Sequence, residues 1–274
     1  MKIMKLNINL YGDIFSNNIV EGEITSTQNK APQYTHYVKD NSGEINLFVD
    51  RAIYDIKKIK NKKKNFAWLL ESKSIAPDLI DYFKKNIENL NDFELVFTHN
   101  SELLNLDDKF KFLHPIGYWV SENSNLKKTK LISMILSDKQ YTKQQRVRNK
   151  FARQFESKID IFGSGFHYLS KKEIGLNNYY FSIVYENDLN DNYFSEKILD
   201  CFATKTIPIY SGSRNITKYF DKNGIIFIDE FDYKKLNYDV YNKKLQSVEN
   251  NYNLVKNFKS PEDSMFINYL KNSL

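Results

Sequence analysis

The chain has 274 residues, 41% of them hydrophobic and 15% aromatic, with a formal charge of +6, which is enough for one large domain or two of ordinary size. Its one cysteine, Cys201, excludes an internal disulfide and a cysteine-based zinc cluster, and it fits a reducing, cytoplasmic setting. No stretch approaches the ~18 apolar residues of a membrane span, and the opening MKIMKLNINLYGDIF alternates polar with apolar residues where a signal peptide would carry an apolar core. A soluble protein is expected, with no transmembrane segment and peripheral membrane contact left open.

The charge is unevenly placed. Residues 1–120 hold 16 Lys/Arg against 16 Asp/Glu, while 121–274 hold 24 against 18. Within the second half, 127–158 carries ten basic residues against only Asp138 and Glu156. A focused basic region favours an anionic ligand, a solvated helix face being the plainer account of a charge run taken alone.

In chain order, LNINLY, INLFVD, NFAWLL, FELVFTH and FKFLHP read as strands, with helical stretches at Ala52–Lys60, Pro77–Asn89 and Ser101–Leu106 between them. SENSNLKKTK (121–130) is polar and aperiodic and reads as a linker. After it come KLISMIL, a helix over 142–157, KIDIFG, and the block from Tyr180 to Phe231. That block reads strand, polar loop, helix, strand, turn, helix, strand. Strands alternating with helices imply βαβ units and parallel sheets. The expected fold is α/β: two Rossmann-like domains facing a cleft, over 1–122 and 123–274, with the packing of the C-terminal helix back on the first domain left open.

Ligands of such sheets bind beyond the carboxyl ends of the strands. The loops of interest are therefore 71–74, 98–100, 137–141, 163–165, 186–193 and 211–214. On the helix TKQQRVRNKFARQF, Thr142 is a candidate cap and Val147, Phe151 and Phe155 mark an apolar stripe. Arg148 falls about 40° from the centre of that stripe, so its guanidinium must find an anion. A structural Asp and a ligand phosphate are both open at this stage. In YFSEKILDCFA, Ser195 is a candidate N-cap, and Glu196 and Lys197 stand in the first turn, where free N–H groups already attract anions. Ser137, Gly163 and Glu186, at strand ends, complete the candidate ligand-binding set. Glu71 ends a strand in WLLES, where a carboxylate facing a cleft can take a proton. The four histidines are scattered, and no D-x-D between apolar runs, H-E-x-x-H, G-x-G-x-x-G or G-K-[ST] is present. Neither a metal nor a nicotinamide cofactor is expected.

Glu186-Asn187, Tyr193-Phe194-Ser195-Glu196-Lys197 and Ile207-Pro208-Ile209-Tyr210-Ser211-Gly212 resemble the donor motif of the α-1,3-fucosyltransferases, glycosyltransferase family ten. That motif is an E-N pair, a Y-x-[TS]-E-K helix and a V/I-P-[IV]-x-x-G strand and turn. KLISMILSDKQ, VRNKF and IDIFGSG extend the resemblance over about 130–231; SGSR replaces the family's more usual W/G-G-[PS] turn. The resemblance implies a GT-B fold and an inverting enzyme. GDP-β-L-fucose would be the donor, an oligosaccharide or glycoconjugate hydroxyl the acceptor (α-1,3 to N-acetylglucosamine or glucose), and no metal would be needed. It also implies that Arg148 and Lys197 neutralise the diphosphate, that Glu196 binds the fucose, that Asn187 and Tyr193 line the pocket, and that Glu71 is the general base. Two other readings stay open: a different nucleoside-diphosphate sugar donor, or a non-catalytic module binding nucleic acid through 127–158. The second is disfavoured, because the aromatic residues follow strand patterns instead of interleaving with the basic run.

Overall fold

The computed structural model describes residues 4–14, 18–27, 29–114, 117–121 and 127–272. The chain divides into two compact units, Met1–Gly117 with Lys259–Leu274, and Tyr118–Phe258. The sequence instead places the boundary at 122/123 and runs the second domain to the C-terminus. Of the stretch read as a linker, 122–126 lie outside the described residues, whereas 127–130 already lead into a strand.

The first unit holds β1 (Leu6–Tyr11), the small antiparallel hairpin β2 (Asn18–Val20) and β3 (Glu23–Thr25), β4 (Thr35–Val38), β5 (Ile45–Val49), β6 (Asn65–Leu69), β7 (Leu95–Thr98) and β8 (Phe110–Phe112). Six of these form one sheet in the order β4-β1-β5-β6-β7-β8, every pair parallel. Both faces are covered, which is why its central strands read as continuous apolar runs. Alternation along β6 shows the division: Phe66 and Trp68 face one core with Leu47 and Met265, and Ala67 and Leu69 face the other with Phe48 and Phe83. At one level three strands are stitched by buried amides, Asn9 Nδ2 donating to Asn46 Oδ1 (2.8 Å) and Asn46 Nδ2 to Asn65 Oδ1 (2.8 Å).

Helix α1 (Pro77–Lys85) is shorter than its periodicity suggests. Asn86 leaves helical geometry and accepts from Glu88 N, starting a separate 3-10 turn over Ile87–Asp92. This is the local competition expected of an asparagine side chain. Ala52–Lys60 likewise proves to be 3-10 structure, Asp50–Lys58, and α2 spans only Ser101–Leu104.

The second unit is a five-stranded parallel sheet of β9 (Lys130–Ile135), β10 (Asp160–Phe162), β11 (Tyr179–Tyr185), β12 (Ile207–Ser211) and β13 (Ile226–Phe227), in the order β10-β9-β11-β12-β13. Helix α3 (Lys143–Phe155) packs Ala152 on the face that carries Met134, Phe181 and Ile209. On the opposite face α4 (Glu196–Ala203) buries Ile198, Leu199 and Phe202 against Val184 and Tyr210. Helices α5 (Tyr238–Lys243) and α6 (Leu245–Lys256) complete the unit. The helix expected after β12 is a 3-10 turn, Arg214–Lys218.

The chain then rejoins the first unit through α7 (Pro261–Asn268), capped by Ser260. Glu262, fully buried, receives the backbone N–H and hydroxyl of Ser26. Asp263 accepts from Gln33 N and Tyr34 N at 2.8 and 3.3 Å. Carboxylates at the start of α7 thus bind backbone amides of the segment between β3 and β4.

Candidate functional site

In the second unit, the loops following β9 and β10, strand β11 and the start of α4 surround a cavity of about 440 Å³, at the end of a parallel sheet where ligands of α/β proteins gather. Ser137 and Lys139 follow β9, Gly163 and Ser164 follow β10, Arg148 comes from α3, and Glu196, Lys197 and Asp200 come from α4. Trp119 and Lys172 complete the charged and aromatic part of the wall.

Helix α3 starts on a capping box, in which Gln145 N donates to Thr142 Oγ1 and Thr142 N to Gln145 Oε1. Its packed face is rotated from the stripe read in the sequence. Gln145, Arg148 and Ala152 are buried, while Val147 is 43% exposed. Ala152 carries little weight in a hydrophobicity pattern, yet its small side chain lies flat against the sheet core and sets that face. Arg148 is only 4% exposed. Its Nη2 donates to Ser137 O at 2.8 Å, with longer contacts to Ser137 Oγ and Lys139 O. Its Nε has no hydrogen-bond partner among the described residues. Burial lowers the guanidinium from its usual range. The Asp open as its partner in the sequence is absent from these bonds, so the guanidinium stands beside the cavity held by neutral oxygens.

The entrance to α4 is fixed from beneath. Glu186, 1% exposed at the end of β11, accepts from Ser195 N (2.9 Å) and Ser195 Oγ (2.6 Å). Ser195 Oγ in turn accepts from Lys197 Nζ at 2.9 Å, which leaves that ammonium 3.6 Å from Glu186. Glu186 therefore supports the helix entrance and is not among the residues lining the cavity. Asn187 and Tyr193 lie on the same loop, also off the cavity wall. Asn187 accepts from Gln145 Nε2 (3.4 Å), and Tyr193 is buried with its N–H on Asn190 O.

Three further residues went unread in the sequence. Lys172 Nζ donates to Asp200 (2.8 Å) and to Glu196 (3.2 Å) and lies 4.4 Å from the Trp119 ring centroid. Asp200 also accepts from Trp119 N (2.6 Å) and Val120 N (3.2 Å). Glu196 and Asp200 stand four apart, a spacing that places both on one helix face. That spacing was a usable signal; Lys172 and Trp119, distant in sequence, gave none. Burial opposes the charge on Glu196, but Lys172 and Lys197 outweigh it and hold its carboxyl down at about 2. For Asp200 burial prevails over Lys172, and its carboxyl is raised.

Gly163 has φ +113°, and a Cβ there would lie 1.8 Å from Leu136 O. The close approach that requires glycine is thus to the neighbouring strand's backbone. Glu71 belongs to the first unit, in the loop after β6, where its N–H donates to Asp50 Oδ1 at 3.2 Å. Among the described residues no group of three or more His, Cys, Asp or Glu side chains is arranged to hold a metal ion, and no helix is long and apolar enough to cross a membrane.

Known proteins share this organisation. The model of glycosyltransferase family 10 (fucosyltransferase), C-terminal part, matches residues 125–265. The α-(1,3)-fucosyltransferase FucT of Helicobacter pylori is 31% identical over 114 residues. That match covers 39% of this chain and spans 23% of the length of the curated relative. A crystal structure of an α1,3-fucosyltransferase with GDP superposes with a TM-score of 0.53 at 16% identity, covering 98% of this chain and 90% of that one. Another α1,3-fucosyltransferase structure gives 0.51 at 17% identity, covering 94% and 82%. These two likenesses are of fold, the GT-B type built from two parallel-sheet α/β units. With the family model matched over more than half of its length, the chain belongs to glycosyltransferase family 10, the fucosyltransferases.

Proposed function

We propose that the protein transfers L-fucose from GDP-β-L-fucose to a hydroxyl of an acceptor glycan, with inversion at the anomeric carbon and α-1,3 linkage to N-acetylglucosamine or glucose. The observation that carries the reading is Arg148, a nearly buried guanidinium at the cavity that, among the described residues, is bonded to neutral oxygens alone and has an open Nε. Such a cation calls for an anion, and a diphosphate supplies oxygens matched to its planar fork. Lys197 and the N–H groups of the first turn of α4 add positive potential beside it. The superposed fucosyltransferase solved with GDP is consistent with this choice of anion.

In this mechanism the acceptor oxygen attacks the anomeric carbon as the bond from that carbon to the diphosphate breaks. The acceptor proton passes to Glu71, and the leaving electron pair stays on GDP, whose charge Arg148 and Lys197 stabilise. Glu196, kept ionised by Lys172 and Lys197, faces the positive charge that develops on the fucose ring. It acts through its charge and moves no proton. The family resemblance assigns Asn187 and Tyr193 to the nucleotide-sugar pocket; in the structure they lie off the cavity wall, on the loop that Glu186 fixes. No step passes through a metal ion.

The test is calorimetric titration with GDP, UDP and GDP-fucose, joined to mass-spectrometric detection of fucose on a glycan panel. GDP binding that exceeds UDP binding, with fucose transfer to at least one N-acetyllactosamine-type glycan, is the expected result. A preference for UDP would sink the donor assignment.

A further inference from the structure

Beside the cavity lies a second hollow of about 270 Å³, walled by the loop after β9, the outer side of α3 and the loop after β10. The two share their loops. Ser137 and Lys139 line the cavity and Asp138 and Gln140 the hollow, while Ser164 lines the cavity two residues before Phe166 lines the hollow. None of Trp119, Lys172, Glu196, Lys197 and Asp200 belongs to the hollow. It therefore adjoins the Arg148 side of the cavity, away from the acids of α4.

Helix α3 holds this wall in shape. Arg146 Nη1 donates to Gln140 O (2.9 Å) and Tyr141 O (3.2 Å), and Asn149 Nδ2 donates to Lys139 O (3.0 Å) and Asp138 O (3.3 Å). These bonds consume main-chain oxygens. No hydrogen bond or ion pair among the described residues engages the exposed Asp138 carboxylate, the one acid in the hollow's described wall. Three cations stand around it, Arg146, Lys150 and Arg153, the last 4.5 Å from the Phe166 ring centroid. The same two loops carry Tyr141 and Tyr168, 79% and 87% exposed, rings on which a base can stack.

A nucleotide sugar is linear: sugar, diphosphate, ribose, base. With the sugar at Glu196 and the diphosphate at Arg148, the nucleoside continues past Arg148 into this hollow. Guanine presents two neighbouring donors, N1–H and its exocyclic amino group, which one carboxylate accepts together, and its O6 and N7 accept from arginine or lysine. Uracil and adenine place a donor beside an acceptor, so a carboxylate on that edge meets a lone pair. We propose that the hollow is the base subsite and that Asp138 is the residue that selects guanine. This rests on the donor reading above and extends it from the diphosphate to the base.

The test is calorimetry on the full chain with GDP and with IDP, which lacks only the exocyclic amino group. The wild type should bind GDP about tenfold more tightly than IDP, because that amino group loses a charged partner. Asp138→Asn should weaken GDP about 20-fold, the range of one bidentate base contact, and bring GDP and IDP to nearly equal affinity. Transfer by that variant should show a raised KM for GDP-fucose and an unchanged kcat. Asp138→Ala should lose the discrimination as well. A wild-type preference for GDP over IDP in both variants overturns the proposal, and so does a wild type that binds the two alike. If the wild type prefers UDP to GDP, the donor reading fails and the base assignment falls with it, before any variant is made.

Discussion

The two units each bury carboxylates at the carboxyl ends of a parallel sheet, yet Glu196 in one and Asp50 in the other are treated in opposite ways. In the second unit Glu196 and Asp200 share Lys172, with Lys197 beside Glu196, and the Glu196 carboxyl is held down at about 2. In the first unit Asp50 has two backbone amides, with Arg51 offsetting its charge less than they do, and burial pushes its carboxyl up to about 7. Desolvation disfavours the charged form in both places; at Glu196 two ammonium groups outweigh it, while at Asp50, as at Asp200, it prevails. A carboxylate locked in its ionised form suits the stabilisation of developing positive charge. A carboxyl raised to near neutrality, as that of Asp50 is, can instead gain and lose a proton around neutral pH.

The sharpest way to break this contrast is to remove the proton acceptor without touching the donor site. Glu71→Gln should lower kcat by about 10³-fold, within the range for loss of a general base, while calorimetry with GDP returns the wild-type affinity. Retained transfer would leave the first unit without its proposed chemistry. The second-unit cluster is tested next by Lys172→Met, which leaves Glu196 to Lys197 and Asp200 to the backbone amides of Trp119 and Val120. Breaking a buried pair costs about 3–5 kcal/mol, so thermal unfolding should show a large drop in Tm. Adding Asp200→Asn should restore part of it by removing the charge left unpaired. A single variant with wild-type Tm would show that the cluster is not held by Lys172. Arg148→Ala should have a smaller effect, expressed in binding. GDP affinity should weaken about 30-fold, or ~2 kcal/mol, with little loss of Tm because the guanidinium is already short of partners. Unchanged affinity would place the diphosphate elsewhere.

How much of this was legible before the fold is seen differs between the units. The parallel α/β class, the caps Thr142 and Ser195 and the packed side of Arg148 follow from patterns within a dozen residues of each other. The rotation of α3 was hidden because Ala152 carries no weight in a hydrophobicity pattern, although its small size lets that face pack on the sheet. Glu186 looked like a ligand residue because it ends a strand, but its oxygens are consumed by Ser195 nine positions later. Lys172 and Trp119 join α4 only through tertiary packing, and no local pattern marks them. Asp50 was hidden for a related reason. It closes an apolar run as any polar residue closing a strand would, and its partners lie about twenty residues on, in the neighbouring strand.

That last residue offers the mildest and most specific test of the contrast, through stability instead of rate. The Asp50 carboxyl lies near 7 when folded, against an ordinary value of 3.8. Between those values the folded chain binds more protons than the unfolded one, so this residue's contribution to stability falls as pH rises from about 4 to about 7. Asp50→Asn removes that slope. Its Tm should match wild type near pH 4 and exceed it by ~3–6 °C at pH 8, corresponding to about 1–2 kcal/mol once solvent screening at this partly exposed loop is allowed for. The corresponding substitution at an acid held ionised, Glu196→Gln beside Lys172 and Lys197, should instead lower Tm at pH 8, because there the charged form is the stabilised one. A pH-independent difference for Asp50→Asn would mean that its charge is already compensated, and the two units would then treat their buried acids alike.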